Sequence, residues 1–372
     1  MLQRLEKLVE MLDAAGLDAV ALNPGPSLTY LTGLHFHLME RPTVFLVNRA
    51  GDTALVLPVL EEGKLSSVSG VMKAFPFGDD PAAWQGAFDD ACEAIRLSDG
   101  KIGVEPTKLR FLELRHLQEA APRAEIVGAG DLFARLRLQK TPEEIDSMKR
   151  AAQIAQRALL ETLKELREGL SEKAIANELV VQLLRGGSDP SLPFHPIVAL
   201  GENSANPHAT PTERALSPGD VLLVDWGASF AGYFSDITRT FTFGEVDPEL
   251  LEIGRVVLAA NRAGRQAGRP GLDAGAVDRA ARKVIVQAGY GSAFIHRTGH
   301  GLGLEAHEAP YIYAENELTL TQGMTFTVEP GIYLSGKGGV RIEDDVVVRE
   351  AGLESLTDLP RRVLPLEDFI GG

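Results

Sequence analysis

Leu2, Leu5, Leu8, Val9 and Leu12 recur at helical spacing with charged residues between them. The pattern predicts an amphipathic helix at the N-terminus and not a signal peptide. Short apolar runs at residues 18–22, 43–48, 53–57 and 101–104 read as strands separated by helical stretches. That alternation predicts an α/β domain. Further on, Thr141 is placed to cap a helix with Pro142 in its first position. Ile145, Met148, Ala152, Ile154, Leu159 and Leu163 then keep the helical period towards Gly169, so one long helix is expected over residues 143–168. A boundary near residue 137 follows, with an N-terminal α/β domain over 1–136 and a second domain over 137–372.

The second domain repeats itself. A shift of 102 positions lays Gly169, Leu170 and Ser171 on Gly271, Leu272 and Asp273, Ile175 on Val277, and Gly187 on Gly289. Two positions of slippage later, residues 216–227 align with residues 320–331, and Asp225 falls on Glu329. His208 and Pro211 match His307 and Pro310 at a slightly shorter shift. Each copy reads as helix, turn, helix and then strands. Two such halves are expected to pack about an approximate twofold axis, their strands forming one curved antiparallel sheet under the helices, with equivalent side chains converging at the axis.

Composition narrows the partners. The chain has 372 residues, of which 44% are hydrophobic and 24% charged, enough for about two domain cores. Lys and Arg number 37 against 52 Asp and Glu, for a net charge of −15, which argues against a nucleic-acid or anionic-membrane partner. The single cysteine, Cys92, allows neither an internal disulfide nor a thiolate cage. No run approaches the roughly 18 uncharged apolar residues of a membrane span. A cytoplasmic location is expected.

The chemistry concentrates in four acidic residues on strands. A hairpin bend centred between Phe230 and Ala231 would put Asp225 opposite Asp236, their Cβ atoms about 5 Å apart. A bend at Gly336 would pair Glu329 with Glu343. Like charges so placed repel, and burying one ionised carboxylate without a partner costs several kcal/mol. For a single strand acid, an ion pair with Arg239, Arg341 or Lys337 is the ordinary answer. For four, placed by a duplication, two divalent cations with oxygen ligands and an imidazole balance the charge better. His296, His300 and His307 lie within twelve residues among glycines and can supply the imidazole. The spacing of Gly299, Gly301 and Gly303 does not fit a phosphate loop.

At these residues the chain resembles the proline peptidase branch of the pita-bread metallopeptidases, family M24, which includes prolidase and aminopeptidase P and, more distantly, methionine aminopeptidase. The resemblance spans essentially the whole chain. It rests on Asp225, Asp236, the histidine and glycine run over residues 296–308, Glu329-Pro330-Gly331 and Arg341-Ile342-Glu343-Asp344. It implies a creatinase/prolidase-like N-terminal domain followed by a pita-bread catalytic domain. Asp225, Asp236, His300, Glu329 and Glu343 are implied as ligands of a dinuclear Mn, Co or Zn centre, Mn foremost, with Asp236 and Glu343 bridging. His208 and His307 match two histidines that line the substrate site, and Glu329 matches the carboxylate that shuttles the proton. Such a centre polarises a scissile carbonyl and acidifies water. The implied substrates are short peptides with proline in second position, and the implied assembly is a homodimer or homotetramer.

Tyr30-Leu31-Thr32-Gly33 is similar to the N-terminal domain that methionine aminopeptidases lack, and creatinase lacks the metal ligands, so both are weaker matches. Several prolidases carry an arginine four residues after the counterpart of His307, where this chain has Tyr311. That difference inclines the reading from Xaa-Pro dipeptidase towards an Xaa-Pro aminopeptidase accepting longer peptides, although the short first domain is prolidase-like. Arg297 or Arg341 is left to bind a substrate carboxylate, or Arg341 to brace Glu343. His35 and His37 are loop residues or reach a neighbouring subunit. The rival from another class is a catalytically idle peptide- or protein-binding module on the same fold.

Overall fold

The amphipathic N-terminus forms α1 (Leu2–Ala15), which buries Leu5, Leu8 and Leu12. It belongs to the first of two units in a computed structural model that describes residues 2–68 and 72–369; the units are Met1–Arg137 and Leu138–Gly372. In the first unit, β1 (Ala19–Leu22), α2 (Pro26–Thr32), β2 (Val44–Asn48), β3 (Thr53–Pro58) and β4 (Lys73–Phe77) precede α3 (Trp84–Ala94), β5 (Asp99–Val104), α4 (Phe111–Ala120), β6 (Arg123–Gly128) and α5 (Gly130–Arg137). The strands make one mixed sheet in the order β4-β3-β2-β1-β5-β6. The expected strands are all present, and Val20, Leu46, Leu55 and Phe88 are fully buried in or against that sheet.

The second unit opens on α6 (Pro142–Lys164). Thr141 accepts from the Glu144 backbone N–H while Glu144 caps the Thr141 N–H in return, a reciprocal cap worth about 1 kcal/mol. The helix ends four residues before the expected position. The Glu165 and Leu166 N–H groups bond three residues back, to Thr162 and Leu163, which tightens the last turn and tucks Leu166 into the core.

After α7 (Glu172–Arg185) come β7 (Ile197–Leu200), β8 (Val221–Trp226), the short ribbon of β9 (Ser229–Phe230) and β10 (Tyr233–Phe234), and β11 (Ile237–Thr242). The second half supplies α8 (Pro248–Ala267), α9 (Gly275–Gln287), β12 (Gly299–Gly301), β13 (Glu308–Ile312), β14 (Thr325–Val328), β15 (Gly331–Leu334), β16 (Gly338–Arg341) and β17 (Asp344–Arg349). It closes with β18 (Gly352–Ser355) and β19 (Leu364–Pro365).

The duplication is visible in matched hydrogen bonds. Gly169 N donates to Leu216 O at 2.9 Å and Gly271 N to Leu320 O at 2.9 Å; Leu216 N returns to Leu170 O at 2.8 Å and Leu320 N to Leu272 O at 2.8 Å. The paired bridges Ser171 to Ala215 and Asp273 to Thr319 repeat the same motif.

The single curved sheet expected from the repeat is not continuous. Its ladders divide into a four-stranded sheet β19-β11-β8-β7, a five-stranded sheet β13-β12-β14-β17-β18 and the two-stranded pairs β9–β10 and β15–β16. The breaks coincide with Asp236, Glu329 and Glu343, which lie between strands and not within them. Side chains stitch across instead: Thr240 Oγ1 donates to Arg341 O at 3.0 Å and Glu343 N donates to Thr238 O at 3.1 Å.

Candidate metal centre

The two hairpins set the register of the acids. In the first, the bend lies at Ala231-Gly232, both with positive φ (52° and 77°), the signature of a two-residue turn whose twist suits antiparallel strands. It sits one residue later than expected, so Asp225 faces Thr238 and not Asp236. This corrects the facing pair: Asp236 occupies the diagonal position on the same side, two residues before Thr238. In the second hairpin Val328 faces Asp344 and Gly331 faces Arg341, so the intervening Glu329 and Glu343 lie opposite one another, as a bend at Gly336 requires.

The acids and imidazoles converge. Ligand atoms of Asp225, Asp236 and Glu343 lie within 4.8 Å of one another, as do those of His300, Glu329 and Glu343. A third set within the same distance joins Asp236, His300 and His307. Asp236, His300 and Glu343 each belong to two sets. His307 packs its ring 3.9 Å from that of His300 yet is itself exposed. His208 is also exposed and sits beside the centre through Pro207, whose carbonyl accepts from Arg341 Nη1 at 3.4 Å.

Burial sets the electrostatics. Desolvation, followed by the charges of Glu343 and Asp225, pushes the Asp236 carboxyl well above its usual range. Desolvation, then Glu329 and Asp225, does the same to Glu343. Glu329 rises to about 7, again chiefly through desolvation and against the opposing pull of Arg341. His300 goes the other way, its pKa lowered well below normal by burial and then by His307, which keeps it neutral.

The orientation of His300 follows from its hydrogen bond. Nδ1 lies 3.1 Å from the carbonyl of Gly301 and donates to it, which leaves the Nε2 lone pair facing Glu329 Oε1 at 3.3 Å and Asp236 Oδ2 at 3.7 Å. A lone pair aimed at two carboxylates is repulsive without a cation between them. Two oxygens make the same point: Asp225 Oδ1 and Glu343 Oε1 are buried with no hydrogen-bond partner. Hard oxygen donors plus one neutral imidazole suit Mn²⁺ or a similar divalent ion, so the residues fit a metal centre.

Arg341 brings a guanidinium into the cluster. It donates from Nη2 to Asp225 Oδ2 at 2.6 Å, from Nε to Thr238 Oγ1 at 3.0 Å and from Nη1 to Tyr333 OH at 2.9 Å. Only 2% of it is exposed, so its fork is spent on Asp225 and its neighbours. This geometry supports bracing of Asp225 directly and of Glu343 through Thr238 Oγ1, as the sequence offered, while the substrate-binding role is not seen in its contacts. Tyr333 OH lies 2.8 Å from His296 Nε2, while His296 Nδ1 faces the Arg297 carbonyl at 2.7 Å. His296 is therefore held among hydrogen bonds outside the three ligand sets.

Several supporting residues escaped the sequence reading. Thr238 Oγ1 donates to Glu343 Oε2 at 2.6 Å, and Thr327 Oγ1 donates to Glu329 Oε1 at 3.2 Å while accepting from His300 N at 3.1 Å. Both carboxylate oxygens of Asp345 accept from Asp236 N, at 3.2 and 3.0 Å. Threonines alternating with apolar residues in fully buried strands were the available signal. Gly299 has a different reason: a Cβ there would lie 1.9 Å from the Thr327 carbonyl oxygen, so only glycine lets β12 approach β14.

Comparison with known proteins finds matches for both units. The model of metallopeptidase family M24 matches residues 146–350, and that of the creatinase/prolidase N-terminal domain matches residues 4–139. The Xaa-Pro dipeptidase of Pyrococcus furiosus is 33% identical over 364 residues, covering 98% of this chain and 100% of the relative. Among solved structures, a dipeptidase from Pyrococcus horikoshii is 40% identical with a TM-score of 0.92, over 97% of this chain and 99% of that one. An X-Pro aminopeptidase from Thermotoga maritima is 31% identical with a TM-score of 0.84, over 97% and 99%.

Proposed function

The chain belongs to metallopeptidase family M24, and we propose that it is a two-metal exopeptidase that hydrolyses the bond between an N-terminal residue and proline in short peptides. The observation that carries the metal centre is the pair of orphaned buried oxygens, Asp225 Oδ1 and Glu343 Oε1, in a cluster where four carboxylates face one guanidinium. The Xaa-Pro preference is supported by likeness to the relatives named for it.

In this reading Asp225, Asp236, His300, Glu329 and Glu343 would hold the cations, Mn²⁺ first among the candidates. The bound cations would polarise the scissile carbonyl and lower the pKa of water at the site. Glu329, raised to about 7 in the absence of metal and 15% exposed in its side chain, is the carboxylate suited to move a proton. His307, its pKa lowered by partial desolvation and then by Arg297, stays neutral near pH 7 and can donate a hydrogen bond to the developing oxyanion or the leaving nitrogen. His208 faces the same task from the first half of the repeat.

The test removes metal and restores it. Chelation should abolish hydrolysis of Ala-Pro and Ala-Pro-Ala, Mn²⁺ should recover it, and calorimetry should count two sites. Peptide binding without cleavage in the fully loaded protein would instead favour an idle binding module.

A further inference from the structure

Lys140 carries a buried charge outside the three ligand sets. Its Nζ donates to Glu308 Oε1 at 2.6 Å, and the two side chains are 3% and 6% exposed. The lysine is itself fixed: its backbone N donates to Gly323 O at 2.9 Å, and the preceding Gln139 bridges to Met324, just ahead of β14. A buried ion pair is a weak source of stability, because desolvation offsets the attraction and apolar side chains of similar volume often serve as well. What a charge-assisted hydrogen bond does supply is direction.

Direction matters in the segment after His300. Residues 302–307 form an irregular loop between β12 and β13. Its first end is held by Thr325 Oγ1, which donates to Leu302 O at 2.8 Å, and by Phe234 N, which donates to Gly303 O at 2.9 Å. Its last residue is His307, whose ring rests against that of His300 and, among the described residues, is held by no hydrogen bond. Glu308 follows at once, opens β13 and is buried where His307 is exposed, so the two side chains leave the chain on opposite sides. Gripping the Glu308 carboxylate therefore sets the direction in which His307 projects. Gly303 leaves the pair its space: a Cβ there would lie 2.8 Å from Glu308 Oε1 and 2.9 Å from Lys140 Cε.

We propose that Lys140 and Glu308 are positioning residues for the hydrolysis: their ion pair holds the end of the 302–307 loop so that the His307 ring stands against His300 at the metal centre. They act through His307 and not on the substrate. The inference rests on the peptidase reading above and deepens it, by placing a support behind the histidine that assists the developing oxyanion.

The experiment measures kcat and KM for Ala-Pro, together with bound Mn²⁺, in the Mn²⁺-loaded full chain, in Lys140→Met and in the double replacement of Lys140→Met with Glu308→Leu, each made with and without His307→Ala. Lys140→Met should lower kcat about 10- to 100-fold while KM stays within about twofold and two Mn²⁺ remain bound. Replacing both partners should recover the melting temperature, since no charge is left buried alone, but should not recover kcat. In the His307→Ala background the same changes should cost less than about twofold in kcat, because the group they position is gone. Equal losses with and without His307, or a kcat that returns with the melting temperature, overturn the inference. Should Lys140→Met not fold, the double replacement carries the comparison alone. Cleavage of neither Ala-Pro nor Ala-Pro-Ala by the unsubstituted loaded protein would fell the peptidase reading itself. The pair is then judged by hydrogen exchange in the double replacement: quickening confined to residues 302–308 supports the proposal, and unchanged exchange there overturns it.

Discussion

Arg341 holds one oxygen of Asp225 at 2.6 Å and leaves the other, Oδ1, buried and unpartnered. A carboxylate gripped on one side presents its free lone pairs in a fixed direction, which is how outer hydrogen bonds prepare a ligand for a metal. Thr238 does the same for Glu343, holding Oε2 and leaving Oε1 free.

Replacing Arg341 by methionine keeps the volume and removes the grip. Mn²⁺ affinity should weaken about 10- to 100-fold by calorimetry. Unaltered affinity would mean that Asp225 is oriented by its strand alone.

Relief of repulsion gives a prediction of opposite sign for the metal-free protein. Glu343→Gln removes a buried carboxyl whose ionisation is opposed by desolvation and by Glu329 and Asp225. Thermal unfolding in chelator should then show a melting temperature equal to or a few degrees above that of the unsubstituted chain, about 2–4 °C per kcal/mol. The upward shift on adding Mn²⁺ should disappear. A clear drop in chelator would argue against stored repulsion at this position.

The pH dependence has a definite sign. Glu329 is raised from 4.5 to about 7 in the metal-free fold, so the folded state keeps a proton that the unfolded state has released. The stability this group contributes is complete below about pH 4.5 and is lost as the pH rises through 7. Urea midpoints in chelator should therefore fall between pH 5 and pH 8 more steeply for the unsubstituted chain than for Glu329→Gln. Mn²⁺ affinity should climb over the same window, because proton and metal compete for one carboxylate. Parallel slopes in the two proteins would place the titration elsewhere.

Glu172 controls the His208 loop from a distance. Fully buried, it accepts from Leu200 N at 2.7 Å, Asn203 Nδ2 at 2.9 Å, Thr212 N at 2.7 Å and Thr212 Oγ1 at 2.6 Å, so it fastens both ends of the segment that carries His208. Glu172→Gln turns an amide towards those donors and should cost about 2–4 kcal/mol of stability. Hydrogen exchange over residues 201–212 should quicken and kcat should fall, with Mn²⁺ affinity preserved. A parallel loss of metal would show that the damage is global.

The strands of the first unit, the capped helix α6 and the doubling of the second unit were legible because each is written in local spacing: period two, period 3.6, a cap, a shift of 102 positions. The bend at Gly336 was legible for the same reason, its glycines marking the turn. The bend after Phe230 was misplaced by one residue, because Ala231 accepts a positive φ that its side chain gives no reason to expect.

What the sequence determined alone is which residues carry charge, where the second hairpin turns and that the two halves place acids at equivalent positions. What the tertiary structure decided is the use of each polar group: Arg341 donates to Asp225, Thr238 to Glu343, the Asp236 backbone N–H to Asp345, and Arg297 rests on the Tyr311 ring. The division has a physical cause. Turns and periodicities depend on neighbours a few bonds away, whereas a hydrogen bond between residues 116 positions apart, as between Asp225 and Arg341, exists only after two halves of a duplicated fold have packed and excluded the water that would otherwise have satisfied both.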